Sequence, residues 1–396
     1  MFANLPVPPE DKILGLMRQF REDPREHKID LSVGVYANEK GETIILDVVK
    51  KAEKRLFDTQ KTKTYVGIAG DPAFNKSMHE IVFGEDYPTD RIRGVQAPGG
   101  SGALRLIAEM IGRNKPDSRI WLSTPTWPNH AALLNVAGMP IGYYPYFDYD
   151  SKTVDFEAMK AALQKMGPQD VVVLHGCCHN PTGANLTNEQ WDEVAQIAVD
   201  TGFFPLFDVA YQGFGDDLET DAYSVRKFAD SVEEMAVATS CSKNFGIYRE
   251  RVGCVFAMGK TPAEADVAFR QLQTVARSIY SMPPDHGAAV VSIIWNDPEL
   301  RQGWYNELEH ITARMLSLRK MLADKLRAAT GSSQFDFIAE HRGMFSLLGI
   351  TPEQVQALRD KHAIYVVGDG RMNIAGLREE LMDTLVAALV DVTQNS

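Results

Sequence analysis

Cysteine is scarce in this chain: there are four in 396 residues, Cys177, Cys178, Cys241 and Cys254. That is too few for a disulfide scaffold at this length, and the vicinal pair is not an ordinary bridge, so free thiols in a reducing compartment are expected. No apolar run approaches the ~20 residues that cross a bilayer, which argues against a membrane protein. Basic charge is in deficit. Lys and Arg total 41 against 53 Asp and Glu, a formal charge of -12, and no stretch concentrates basic residues along a line that could track a phosphate backbone. Nucleic acid is therefore a poor partner class. Internal repeats and low-complexity tracts are lacking, which removes solenoids and linkers from consideration. The N-terminus, Met1-Phe2-Ala3-Asn4-Leu5-Pro6, reaches Glu10 and Asp11 without a basic, then apolar leader, so a cytoplasmic location is expected.

What is present is an ordinary globular composition, 44% hydrophobic and 24% charged, in a chain long enough for two or three domains at about 150 residues each. From about Lys50 to Lys260, short branched-apolar runs alternate with helical patterns, the mark of an α/β core with a mostly parallel sheet. The runs Arg119-Ser123, Asp170-Leu174, Phe204-Asp208, Ala236-Ser240 and Gly253-Ala257 read as strands. Thr187 and Gln190 spell a capping box that starts a helix ending near Gly202. Long helical patterns cover Asp285-Asn296 and Pro298-Thr330, and a domain boundary is expected near His310. Beyond Gly331, a smaller α+β unit is expected, with strands at Phe335-Ile338, Met344-Leu348 and Arg371-Ile374 and helices at Pro352-Lys361 and Leu377-Val392.

In open α/β sheets ligands sit beyond the carboxyl ends of strands, so the polar residues there carry the chemistry. Gln96-Ala97-Pro98-Gly99-Gly100-Ser101-Gly102 runs a glycine-rich loop into a helix, a geometry that offers backbone N–H groups to an anion. Asp208 ends an apolar run where an unpaired carboxylate is costly, so a cation should meet it. Lys243, in Ser240-Cys241-Ser242-Lys243-Asn244-Phe245-Gly246, is placed for a Schiff base. The same letters spell Ser-x-x-Lys, but Ser-Asp-Asn and Lys-Thr-Gly are missing from the chain, so an acyl-enzyme hydrolase on Ser101 or Ser240 is the weaker enzyme reading. A non-catalytic phosphate-binding scaffold is the other alternative. His175, Cys177 and His179 share one face of an extended segment, but nothing completes a zinc shell and no metal is expected.

Together these motifs resemble the fold type I (class I) pyridoxal-phosphate aminotransferases, aspartate/aromatic subgroup, nearly end to end. The residues that carry the resemblance are Asn180-Pro181-Thr182-Gly183, Asp208 through Phe214, Ser240 through Gly246, Tyr248 through Gly253 and Arg371-Met372-Asn373-Ile374-Ala375-Gly376. The resemblance implies a large domain with a seven-stranded, mostly parallel sheet over 45–310. It also implies a small α+β domain from 11–44 and 311–396, and an arm over 1–10. Lys243 resembles the lysine that bonds the cofactor and then shuttles a proton. Asp208 resembles the partner of the pyridinium nitrogen, with His130 and His175 behind it, and Asn180 and Tyr211 the donors to the phenolic oxygen. The phosphate would be held by Gly100, Ser101, Gly102, Ser240 and Arg251, and the ring stacked by Trp127. Gly34, Trp127, Asn180 and Arg371 would bind substrate, with Arg371 on the α-carboxylate. Tyr65 and Arg277 resemble residues donated across an obligate homodimer, to the phosphate and to the substrate side-chain carboxylate.

The resemblance implies a ping-pong reaction of amino acids and 2-oxo acids, with 2-oxoglutarate and glutamate as one pair. Aspartate-preferring relatives usually carry Thr where this chain has Ser101 and Asn where it has Met282. With Ala37 at the entrance, these changes make a roomier, more apolar pocket. That favours phenylalanine, tyrosine and tryptophan beside aspartate; a strict aspartate transaminase is the alternative.

Overall fold

A computed structural model describes residues 2–7, 12–135 and 138–394. The chain divides into two compact units, Ile44–Arg314, and Met1–Thr43 with Met315–Ser396. The crossing expected near His310 falls between Arg314 and Met315, inside the helix Pro298–Thr330. Of the arm expected over 1–10, residues 1 and 8–10 lie outside the described residues.

The main sheet of the larger unit has seven strands: β1 Ile92–Pro98, β2 Arg119–Thr124, β3 Ile141–Pro145, β4 Asp170–His175, β5 Phe204–Val209, β6 Met235–Ser240 and β7 Val252–Met258. Their spatial order is β1-β7-β6-β5-β4-β2-β3. All neighbours are parallel except β7, which is antiparallel to both β1 and β6. Every residue of β6 and β7 is buried because helices cover both faces, which is why these strands read as unbroken apolar runs. On one face, Leu104 and Ile107 of α1 (Gly99–Asn114) join Ile120, Val171, Leu206 and Val255 in a single core. On the other, Phe207 meets Trp191 of α2 (Asn188–Thr201) and Phe228 of α3 (Tyr223–Ser231). Thr187 and Gln190 close the expected capping box at the start of α2, and Gly202 ends it in the left-handed conformation.

The register decides what gathers at one rim. Pro98 lies opposite Val252, and Gly253 opposite Ser240, so the antiparallel β7 begins where β1 and β6 end. Gly99, His175, Asp208, Ser240 and Arg251 therefore reach the same rim from five strands. The chains meet so closely here that a Cβ on Gly253 would stand 2.6 Å from the Gly99 carbonyl carbon and the Thr239 oxygen; only glycine fits.

The sequence reading omits β1 and β3, which are the two edges of the sheet. Each pairs on one side only, and Gly94, Gln96 and Pro98 in β1, or Gly142 and Pro145 in β3, break the apolar run that marked the central strands.

In the smaller unit, Ile29–Asp30 pairs in parallel with Ile364–Tyr365, and Phe345–Leu347 pairs antiparallel with Arg371–Asn373. Leu31, Leu318, Leu322, Leu358, Met372 and Leu385 form its core. Two expectations fail here. Phe335-Ile338 is not a strand: a turn leads into the helix Phe337–Glu340, and Phe335 and Ile338 bury together at helical spacing. The helix expected from Leu377 begins at Met382, after a 3-10 turn over Glu379–Leu381.

Candidate active site

Asp208 is held on the rim by a buried histidine. Its Oδ2 accepts from His130 Nε2 at 2.9 Å, and since a carboxylate only accepts, that ring nitrogen carries the proton. Thr126 Oγ1 then bridges His130 Nδ1 at 2.8 Å and His175 Nε2 at 3.1 Å. The chain continues to His179, whose ring centre is 4.1 Å from that of His175 and whose Nε2 bonds Ser123 at 3.0 Å. Burial pushes the Asp208 carboxyl up, yet the His130 hydrogen bond, helped by the electrostatic pull of its neighbours, prevails and holds it below the usual carboxylate range. Burial above all, with His179 and His130 close by disfavouring a further positive charge, drives His175 well below the ordinary histidine range, so it stays neutral. The result is a fixed anion with a neutral His175 behind its histidine partner.

Lys243 follows β6, and its Nζ stands 4.6 Å from the centre of the Tyr211 ring. Asn180 Nδ2 donates to the Tyr211 hydroxyl at 3.3 Å. Trp127 sets its ring edge-on to His130, with centroids 5.3 Å apart. At the far side of the rim, α1 opens with Gly99-Gly100-Ser101-Gly102, whose first-turn N–H groups have no partner one turn back. Ser242 N–H and Ser240 Oγ lie 3.1 Å apart, the two hydroxyls are 3.0 Å apart, and Arg251 Nη1 approaches Ser242 Oγ at 3.5 Å. A Cβ on Gly99 would stand 2.4 Å from Arg251 Nη2, so glycine is what lets the guanidinium reach the helix start. Hydroxyls, a guanidinium and a helix N-terminus together suit a dianion such as phosphate.

The smaller unit has its own polar centre. The Arg371 guanidinium lies 4.5 Å from the centre of the Phe345 ring and reaches the Ser32 carbonyl at 3.4 Å. The same ring fills the space beside Gly34, where a Cβ would come within 2.9 Å of Phe345 Cζ. Tyr65 is 87% exposed in the larger unit. Arg277 is also exposed and bonds the Ser281 hydroxyl, while Val66 N–H meets Met282 Sδ at 3.3 Å, so these two stretches touch.

The family model for aminotransferase class I and II matches residues 26–389. An aromatic-amino-acid aminotransferase of Paracoccus denitrificans is 49% identical over 99% of this chain and 100% of its own length. The chain belongs to this aminotransferase family. An aspartate aminotransferase of Haemophilus influenzae is 44% identical over 99% of this chain and 100% of its own. A solved aromatic amino acid aminotransferase from Burkholderia pseudomallei, described as covalently bound to pyridoxal phosphate, is 39% identical, covers 99% of both chains and superposes with a TM-score of 0.97.

The structure of this aminotransferase brings Asp208, His130 and His175 into one chain, Lys243 against Tyr211, and Ser240 and Arg251 beside the start of α1. It does not assemble His175, Cys177 and His179 on one extended face. Cys178 turns left-handed at φ 50°, and Cys177 groups with Cys178 and Asp221 instead. Sequence reasoning missed Thr126, Ser242 and Phe345. Thr126 and Ser242 stood inside motifs already singled out, but a hydroxyl there looks like any loop residue. Phe345 gave no signal beyond a core aromatic.

Proposed function

We propose that this aminotransferase uses pyridoxal 5'-phosphate to move amino groups between phenylalanine, tyrosine, tryptophan or aspartate and 2-oxoglutarate, as a cytoplasmic homodimer. One observation carries the cofactor assignment: a fixed anion and an anion cradle sit on the same rim, with a lysine that follows the strand next to Asp208. The donor set fits the group at both ends. When bound, the cofactor supplies an aldehyde that takes up an amino group and a pyridinium ring that draws electron density from the substrate Cα.

The chain's own residues do the rest. Gly100, Ser101, Gly102, Ser240 and Arg251 hold the phosphate, and Trp127 stacks on the ring. Asp208 keeps the proton on the ring nitrogen, steadied by His130. Asn180 and Tyr211 donate to the phenolic oxygen. Lys243 Nζ would bond the aldehyde carbon with loss of water and, once substrate displaced it, would carry the proton taken from Cα. Arg371 grips the α-carboxylate with its planar fork, backed by Phe345, for whose ring Gly34 leaves room. Tyr65 of the partner subunit reaches the phosphate, and Arg277 of the partner subunit the side-chain carboxylate. The exposure of Tyr65 in the single chain supports the dimer. Four unbridged cysteines support the cytoplasm.

Dual specificity is supported by relatives named for aromatic amino acids, tyrosine and aspartate, and by Ser101, Met282 and Ala37 in this chain. The test is steady-state kcat/KM for phenylalanine, tyrosine and aspartate against 2-oxoglutarate. Aromatic values equal to or above the aspartate value are expected; aspartate ahead by orders of magnitude would establish the strict aspartate enzyme instead.

A further inference from the structure

Cys177 and Cys178 stand outside the chemistry described above, and their arrangement is unusual. Successive side chains of an extended segment point to opposite faces. Here Cys178 adopts φ 50°, a left-handed conformation that costs a non-glycine residue about 1–2 kcal/mol. The turn brings both sulfurs to one side, where they and an Asp221 carboxylate oxygen all lie within 4.8 Å of one another, with all three residues buried.

The carboxylate is rigidly aimed. Asp221 Oδ2 accepts from the N–H groups of Gly213 and Gly215, each at 2.8 Å, and Oδ1 from Asp216 at 3.2 Å. Anchoring that loop accounts for a carboxylate at 221, but not for two sulfurs beside it or for the left-handed cysteine. The loop also borders a cavity. Gly213 and Asp216 line a cavity of about 600 Å³ whose wall includes Asp217, Glu219 and Glu309, an acidic mouth that draws cations.

We propose that Cys177, Cys178 and Asp221 form a binding site for one thiophilic divalent cation of the zinc and cadmium class. Two thiolates and a carboxylate are three ligands of a tetrahedral shell, with water as the fourth. Each thiol releases its proton to solvent as its bond to the ion forms, and Asp221 binds as the carboxylate. Sulfurs about 2.3 Å from a shared ion stand about 3.8 Å apart, so a closure of at most about 1 Å completes the site.

The test uses the holoenzyme, freed of adventitious metal and dialysed to equilibrium against zinc chloride or cadmium chloride, with bound metal counted per chain. X-ray absorption fine structure at the zinc edge then reads the ligands of the unaltered protein, independently of whether any variant folds. The expected result is one ion per chain at micromolar affinity or tighter, with two sulfurs at about 2.3 Å. Cys177→Ser and Cys178→Ser should each weaken binding at least about tenfold. A shell with fewer than two sulfurs would overturn the proposal. So would affinity unchanged in both serine variants, or the absence of two titratable thiols at this pair in the denatured protein as purified.

Discussion

The two units bury charge in different ways. On the rim of the larger unit, Asp208 is met by a histidine, and behind it Thr126, His175, His179 and Ser123 form a continuous polar chain. In the smaller unit, Arg319 is fully buried, yet it donates to the carbonyls of Ile338, Gly343 and Phe345 and to the Ser346 hydroxyl. Arg371 beside it lies on the ring of Phe345. The first arrangement is built of titratable groups and sets protonation states. The second uses neutral dipoles and an aromatic face around cations that do not titrate in the working range, so it sets position alone. Changes in the larger unit should therefore act on spectra, pH profiles and kcat, and changes around Arg371 on substrate affinity.

The largest expected effect is from Lys243→Ala. It should abolish the pH-dependent visible absorbance expected of the purified enzyme and lower transamination by about 10⁴-fold or more; near-normal activity would refute the assigned proton carrier. Asp208→Asn should follow, losing about 10³-fold in kcat while still binding cofactor. Rates within tenfold of the parent would show that the carboxylate is structural and erase the contrast between the units.

Phe345→Leu is the matching test in the smaller unit. Loss of a desolvated cation–π contact, about 1–2 kcal/mol, should raise KM several-fold for amino acids and for 2-oxoglutarate, with kcat within about twofold. A fall in kcat with KM unchanged would mean that the ring tunes chemistry and not position. The smallest effect concerns His175, which burial holds neutral. Its folded pKa is depressed, so its contribution to stability is present above the unfolded value of about 6.5 and is lost as pH falls through and below it. His175→Asn should flatten the decline of Tm between about pH 6.5 and 5. A Tm curve parallel to that of the parent would remove His175 from the acid response.

Much of the fold was legible along the chain. Central strands buried on both faces must be apolar throughout, so β4, β5, β6 and β7 stood out, and the capping box at Thr187 is a purely local signal. The edge strands β1 and β3 were not legible, because one-sided pairing tolerates Gly and Pro. Within the site, motif residues announced their type but not their partners. Asp208 and His130 are 78 residues apart, and nothing local to either says that one accepts a hydrogen bond from the other.

The sequence by itself determined which residue types stand at the ends of the central strands. Tertiary structure decided everything that depends on register. It turned β7 antiparallel so that Arg251 meets the start of α1, and ran the histidine chain behind Asp208. It also folded the vicinal cysteines onto Asp221. The physical reason is range. Apolar runs and caps depend on neighbours within a turn or two of chain, whereas protonation, charge pairing and ligand geometry depend on atoms a few ångströms apart in space and tens of residues apart in sequence.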